Sequence, residues 1–114
     1  METTNLISEN YKINFVGLEQ TMLKERQKKH LKEIATHEAG KLQHWIDDQF
    51  SVTLRIKEFD KESKKQRYSI GMRVEYPGKI LNSERSQRDT WDINAAMRKA
   101  FDSVKNNLEK DVKK

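Results

Sequence analysis

The stretch Asp89-Thr-Trp-Asp-Ile-Asn-Ala-Ala-Met-Arg-Lys-Ala-Phe-Asp-Ser-Val-Lys-Asn-Asn-Leu108 decides the fold. It reads as an amphipathic helix with a polar start. Asp89 or Thr90 can serve as N-cap, and Asp92 falls in the first turn, where a carboxylate meets the positive end of the helix dipole. Ile93, Met97, Ala100, Phe101, Val104 and Leu108 recur at steps of three and four, so they form one apolar stripe. A stripe of that length must be buried against a sheet or another helix.

Both lie upstream. Arg67 to Tyr76 alternates Tyr68, Ile70, Met72, Val74 and Tyr76 against Ser69, Gly71, Arg73 and Glu75, the period of a half-buried strand. Pro77-Gly78 signals a turn, Lys79 to Ser83 a shorter strand, and Glu84 to Arg88 a link into the final helix. Before the charged loop Asp60 to Gln66, Phe50 to Phe59 sets Val52, Leu54 and Ile56 against Thr53, Arg55 and Lys57. Further back, Met22 to Asp48 reads as a long helix with Thr21 as N-cap and an apolar stripe of Leu31, Ile34, Ala35, Ala39, Leu42, Trp45 and Ile46. Its first part, Met22 to Lys32, is strongly basic and weakly apolar, so that end is expected to project beyond the core. Tyr11 to Val16 is the first strand, ended by Gly17. Met1 to Asn10 and Lys110 to Lys114 are expected to be loose tails.

The expected fold is α+β, in the order β-α-β-β-β-α. A four-stranded mixed sheet carries two helices packed on one face, and residues 1–114 form a single domain. The first two strands flank a helix and should run parallel through a right-handed crossover; the hairpins after them are antiparallel. The second sheet face, polar along every strand, stays wet.

Composition narrows the chemistry. Among 114 residues, 34% are apolar and 36% charged, so the core is small, but the long periodic segments oppose disorder. The net charge of +5 and a pI near 9.4 are compatible with nucleic-acid binding without requiring it. With no cysteine, disulfides, thiolate metal sites and cysteine nucleophiles are excluded. The N-terminus lacks a basic, then apolar, leader pattern, and no apolar run approaches the roughly 20 residues of a membrane span. A cytoplasmic protein is expected.

No catalytic constellation stands out. Asp47 and Asp48 are adjacent and point to different sides of a helix, and there is no phosphate-cradling glycine loop. His30, His37 and His44 are seven apart, which is about 10 Å along a helix, too far for two of them to share one metal with bonds near 2 Å. They read as partly exposed polar side chains. No enzyme, cofactor, metal or small-molecule substrate is expected. Gly40, opposite the apolar stripe, costs roughly 1 kcal/mol against alanine in a helix interior. It reads as a tolerated surface glycine, or as a place where a phosphate can approach the backbone. Trp45 belongs to the core stripe; Trp91, at the helix start, is open to a partner.

Tyr76-Pro-Gly-Lys-Ile-Leu81, followed after a gap by Asp92-Ile-Asn-Ala-Ala-Met-Arg-Lys-Ala-Phe-Asp-Ser-Val-Lys-Asn-Asn-Leu108, resembles the C-terminal half of the ribosome hibernation promoting factors, the ribosome-associated translation inhibitors. That family combines a Pro-Gly or Gly-Gly turn, a short strand and a helix of the form Asp-hydrophobic-x-x-Ala-hydrophobic. Lys41-Leu42 followed by Trp45 and Asp47 is similar to the end of the family's first helix. The element order matches from about Tyr11 to Glu109. The chain departs at Asn94, where the family commonly has an aromatic, in a first helix about two turns longer, and in a longer link before the last helix. It looks like the short form, without a separate dimerisation domain.

The resemblance implies a stress-response protein, bacterial in kind, that binds the small ribosomal subunit in the cleft used by mRNA and tRNA. It would inhibit translation by occlusion, with the subunit and its rRNA as partners, no membrane, and a monomeric state off the ribosome. Lys and Arg contacts to phosphate would give most of the affinity and make it salt-dependent. The candidate RNA-binding residues are Arg26, Lys28, Lys29 and Lys32, then Lys41 and His44 at family-matched basic positions, and Arg98, Lys99 and Lys105 on the last helix. Against this stands a solvated face, in which Arg98, Asp102, Lys105 and Glu109 form a chain of weak surface ion pairs. Two other classes remain open: a regulatory or protein-interaction module of the same fold, and a double-stranded RNA binder.

Overall fold

Period-two alternation in the strands and helical stripes in between build a two-layer molecule, seen here in a computed structural model that describes residues 3–59, 67–82, 87–90 and 92–112. The elements run β1 (Thr3–Ile7), β2 (Tyr11–Val16), α1 (Glu25–Leu42), β3 (Phe50–Phe59), β4 (Arg67–Tyr76), β5 (Lys79–Asn82), β6 (Gln87–Thr90) and α2 (Ile93–Val112). The fold class is α+β with two helices and a mixed sheet, but the sheet has six strands where four were expected. Five of them follow the path β1-β2-β3-β4-β5, and β6 shares β4 with β5. The β2–β3 pair is parallel and the other pairs are antiparallel, as the connections require.

Both added strands correct the sequence reading. Thr3–Ile7, expected as part of a loose tail, pairs antiparallel with β2 in the register Leu6↔Ile13 and Thr4↔Phe15. Of its side chains, Leu6 packs against the core, while Ile7 is 79% exposed. Gln87–Thr90 lies across the expected link and hydrogen-bonds to the first half of β4, while β5 takes the second half. The charged loop 60–66 and Trp91 lie outside the described residues.

Alternation is clean in the central strands. Ile13 and Phe15 of β2, Phe50, Val52, Leu54 and Ile56 of β3, and Tyr68, Ile70, Met72 and Val74 of β4 are all buried on the helix side. Against them pack Leu31, Ile34, Ala35, Ala39 and Leu42 of α1 and Ile93, Met97, Ala100, Phe101, Val104 and Leu108 of α2. Trp45 packs half-buried at the rim. The helices lie together on this face, and no described residue outside the sheet covers the other.

Helix α2 starts and ends later than expected. Asp92 is its cap: the carboxylate Oδ1 accepts the Ala95 N–H at 3.1 Å, while its carbonyl accepts the Ala96 N–H. Residues 110–112, expected to fray, continue the helix. Helix α1 is shorter than expected, because it begins at Glu25 rather than Met22 and gives way at Leu42 to a tight turn through Trp45. The segment 17–24 is a loop folded into the core through Leu18 and Leu23. Gly17 makes its entry possible. It has φ +88°, and an added Cβ would stand inside the van der Waals surface of the Ile56 carbonyl oxygen. The loop is then held from β3: the Glu58 carboxylate accepts the Met22 N–H at 3.0 Å.

Candidate nucleic-acid interface

Helix α1 sorts its charges by face. Its inner stripe holds not only Leu31, Ala35 and Leu42 but also two ionisable side chains, Lys28 and Glu38, each 7% exposed. Arg26, Lys29, His30, Glu33, His37 and Lys41 lie outward, with His44 exposed in the turn beyond. On that outer face Arg26 and Lys29 stand with one acid, Glu33, while Lys41 at its edge reaches the inner Glu38.

The inner lysine is a tether. The Lys28 ammonium donates to the Glu19 carbonyl at 3.3 Å and lies 3.5 Å from the Glu25 carboxylate. Lys32, half-buried at the flank, lies 3.4 Å from the Glu19 carboxylate. Both cations therefore fasten the first half of α1 to the 17–24 loop. The expected basic projection at this end is absent because these lysines turn back on the loop.

Glu38 organises the seam between the helices. Lys105 of α2 donates to its Oε2 at 2.8 Å, and Lys41 lies 3.2 Å from the same oxygen. The Glu38 and Lys105 side chains are 9% and 15% exposed, and Lys41 is 47% exposed. Burial pushes the Glu38 carboxyl up, but hydrogen bonds and charge from Lys105 and Lys41 outweigh it and hold the group below its ordinary value. Lys105 also lies 3.8 Å from Asp102, so part of the surface chain of ion pairs read from sequence exists. Its strongest link, however, crosses to the other helix.

The nine candidate RNA-binding residues thus divide. Arg26, Lys29, His44, Arg98 and Lys99 are exposed; Lys41 is exposed while paired; Lys32 is half-buried; Lys28 and Lys105 are turned inward to partners. His44 meets Trp45 edge-on, with ring centroids 6.1 Å apart. Gly40 sits on the outer side of α1, where an added Cβ would meet nothing within 4 Å. The fold itself imposes no requirement for glycine there.

Sequence reading missed a second cationic region. The uncovered sheet face presents Lys12, Arg55, Lys57 and Arg73, with Glu75 3.2 Å from Arg73. Strand register aligns Asn5, Asn14, Thr53, Arg73 and Asn82 in one polar row across five strands. Period-two alternation already assigned most of these residues to one face; the missing step was to count charge along it. Among the described residues no cluster of metal-ligating side chains forms, and no helix is long and apolar enough to cross a membrane.

No sequence-family model matches the chain, and no curated protein does. Among solved structures, the crystal structure of the Thermus thermophilus Protein Y N-terminal domain is similar in fold, with a TM-score of 0.56. The match covers 90% of this chain and 94% of that one at 13% identity.

Proposed function

We propose that this protein is a non-catalytic ribosome-associated factor of the cytoplasm. It binds the small subunit in the mRNA and tRNA cleft and inhibits translation by occlusion. The observation that carries this reading is the sorting of charge on α1. Glu19 and Glu25 are engaged with Lys32 and Lys28, and Glu38 with Lys105 and Lys41, which leaves Arg26 and Lys29 against Glu33 on the outer face with Lys41 at its edge. Such a face suits the phosphates of folded RNA, whose recognition rests on backbone contact and shape. Two further supports are the motifs around Pro77-Gly78 and Asp92–Leu108, which resemble the hibernation factors, and the fold shared with the Protein Y N-terminal domain.

Arg26, Lys29 and Lys41 on α1 and His44 in the turn after it are the primary contacts, joined by the exposed Arg98 and Lys99 of α2. Lys28, Lys32 and Lys105 act by holding the surface in shape. Cosedimentation with purified small subunits at rising salt tests the reading. Binding should be strong at low salt and fall steeply as salt rises, and Arg26→Gln with Lys29→Gln should weaken it about tenfold at unchanged thermal stability. A folded protein that fails to sediment with small subunits at low salt would leave a regulatory module that does not bind ribosomes.

A further inference from the structure

We infer that the uncovered sheet face is a second RNA-binding surface, so that the domain is gripped between two separate RNA segments. This rests on the ribosome-binding reading above and adds a surface that reading does not use.

Three observations converge on it. First, no part of the described chain covers this face, although it spans five strands. Second, among the described side chains its charge is one-sided: Lys12, Arg55, Lys57 and Arg73 against Glu75. Third, the aligned row of Asn5, Asn14, Thr53, Arg73 and Asn82 supplies amide, hydroxyl and guanidinium groups. Within that row the Asn14 amide donates to the Thr53 hydroxyl at 3.4 Å, a long bond that leaves hydrogen-bonding capacity on both side chains.

The chemistry favours a ribose–phosphate chain. Ile7 and Ile80 sit at opposite edges of this face and Val16 is half-buried beside Arg55, so the side chains named here form no broad apolar patch for a protein partner. The row also carries no aromatic ring on which a base could stack, so recognition would fall on phosphates and sugars. Helices and open sheet face lie on opposite sides of the molecule, and one RNA segment cannot touch both without passing round an edge. Two segments, one on each side, meet both surfaces without such a turn.

Hydroxyl-radical footprinting of rRNA in purified small subunits tests this. Wild-type protein should protect two separated rRNA segments. The variant Lys12→Gln with Lys57→Gln removes two exposed cations and should lose one segment selectively. Its affinity should fall about tenfold, and the salt slope by about 1.5. Arg26→Gln with Lys29→Gln should lose the other segment. The inference is overturned if the sheet variant binds as wild type does, if both variants weaken the same protections, or if its affinity falls with every rRNA protection retained, which would assign the face to a ribosomal protein. Failure of the wild-type protein to bind overturns the ribosome reading and this one together; normal wild-type binding with an indifferent sheet face overturns this one alone.

Discussion

Replacing Glu38 by glutamine should destabilise the protein without weakening its hold on RNA. The 2.8 Å contact between Lys105 and Glu38 joins two side chains that are 15% and 9% exposed, so it is a charge-assisted bond largely out of water. Such a bond contributes about 2 kcal/mol. The Lys41 contact, 47% exposed on the lysine side, adds only a few tenths. Glutamine keeps the shape and a neutral acceptor, so the expected loss is about 1.5 kcal/mol, or roughly 6–9 °C in Tm for a domain of this size. The pH dependence gives an independent check. The folded-state carboxyl of Glu38 is held below its ordinary value, so its stabilisation is fully present above the unfolded carboxyl pKa of about 4.3 and is lost as pH falls through the lower folded value. The Tm gap between wild type and Glu38→Gln should therefore be widest near neutral pH and close in acid. Calorimetry across that range reads it, with Glu33→Gln on the outer face as a control expected to leave Tm unchanged. A gap under about 1 °C at neutral pH, or one that persists unchanged into acid, would refute the assignment of Glu38 as the ionised centre of the helix seam.

Other substitutions separate tethers from surface. Lys28→Glu would face the Glu19 carbonyl and the Glu25 carboxylate from a buried position, and should cost about 3 kcal/mol in urea unfolding, whereas Lys29→Glu should cost less than about 0.5. Gly17→Ala, at φ +88° and against the Ile56 carbonyl, should destabilise by about 2–4 kcal/mol, read as a lower urea midpoint. Gly40→Ala meets no atom of the fold and should raise stability by about 1 kcal/mol; if an RNA backbone lies over that turn, small-subunit affinity falls in the same variant.

The parts of the fold legible in the sequence are those where one element's side chains alone declare a face. β2, β3, β4 and the α2 stripe qualify, because alternation or helical spacing is set by burial against the whole layer. β6 does not: Gln87, Arg88, Asp89 and Thr90 are all polar, and the strand exists through backbone pairing with β4. β1 inserts Leu6 and leaves Ile7 in water, too little for alternation to show. The start of α1 was misplaced because Met22, Leu23 and Lys24 suit a helix locally. Burial of Leu23 and the Glu58 clasp on the Met22 N–H, 36 residues away in sequence, keep them in a loop. The candidate site shows the same limit. Lys28 looks like one more solvated lysine until the loop carbonyl of Glu19 is placed above it. Glu38 and Lys105 stand 67 positions apart, a pairing that helical spacing cannot express.

That seam also has a direction, which a charge swap would expose. Glu38 lies among Lys105 and Lys41, and Lys105 lies among Glu38 and Asp102. Exchanging the pair, as Glu38→Lys with Lys105→Glu, restores one opposite-charge contact while setting a lysine beside Lys41 and a carboxylate beside Asp102. Were only the central pair important, the double variant would recover wild-type stability. With both flanking charges counted, it should recover only part of what the single variants lose. The coupling energy in the cycle should be about 1–2 kcal/mol, and the residual deficit should shrink when Asp102→Asn removes the new carboxylate contact. Net charge is the same in the swapped protein and the wild type, so any deficit reports where the charges stand. Position decides on α1 as well: 23 cations and 18 acids define no cationic face until Glu38 is drawn into the seam by Lys105 and Lys41 and Glu25 stands beside Lys28.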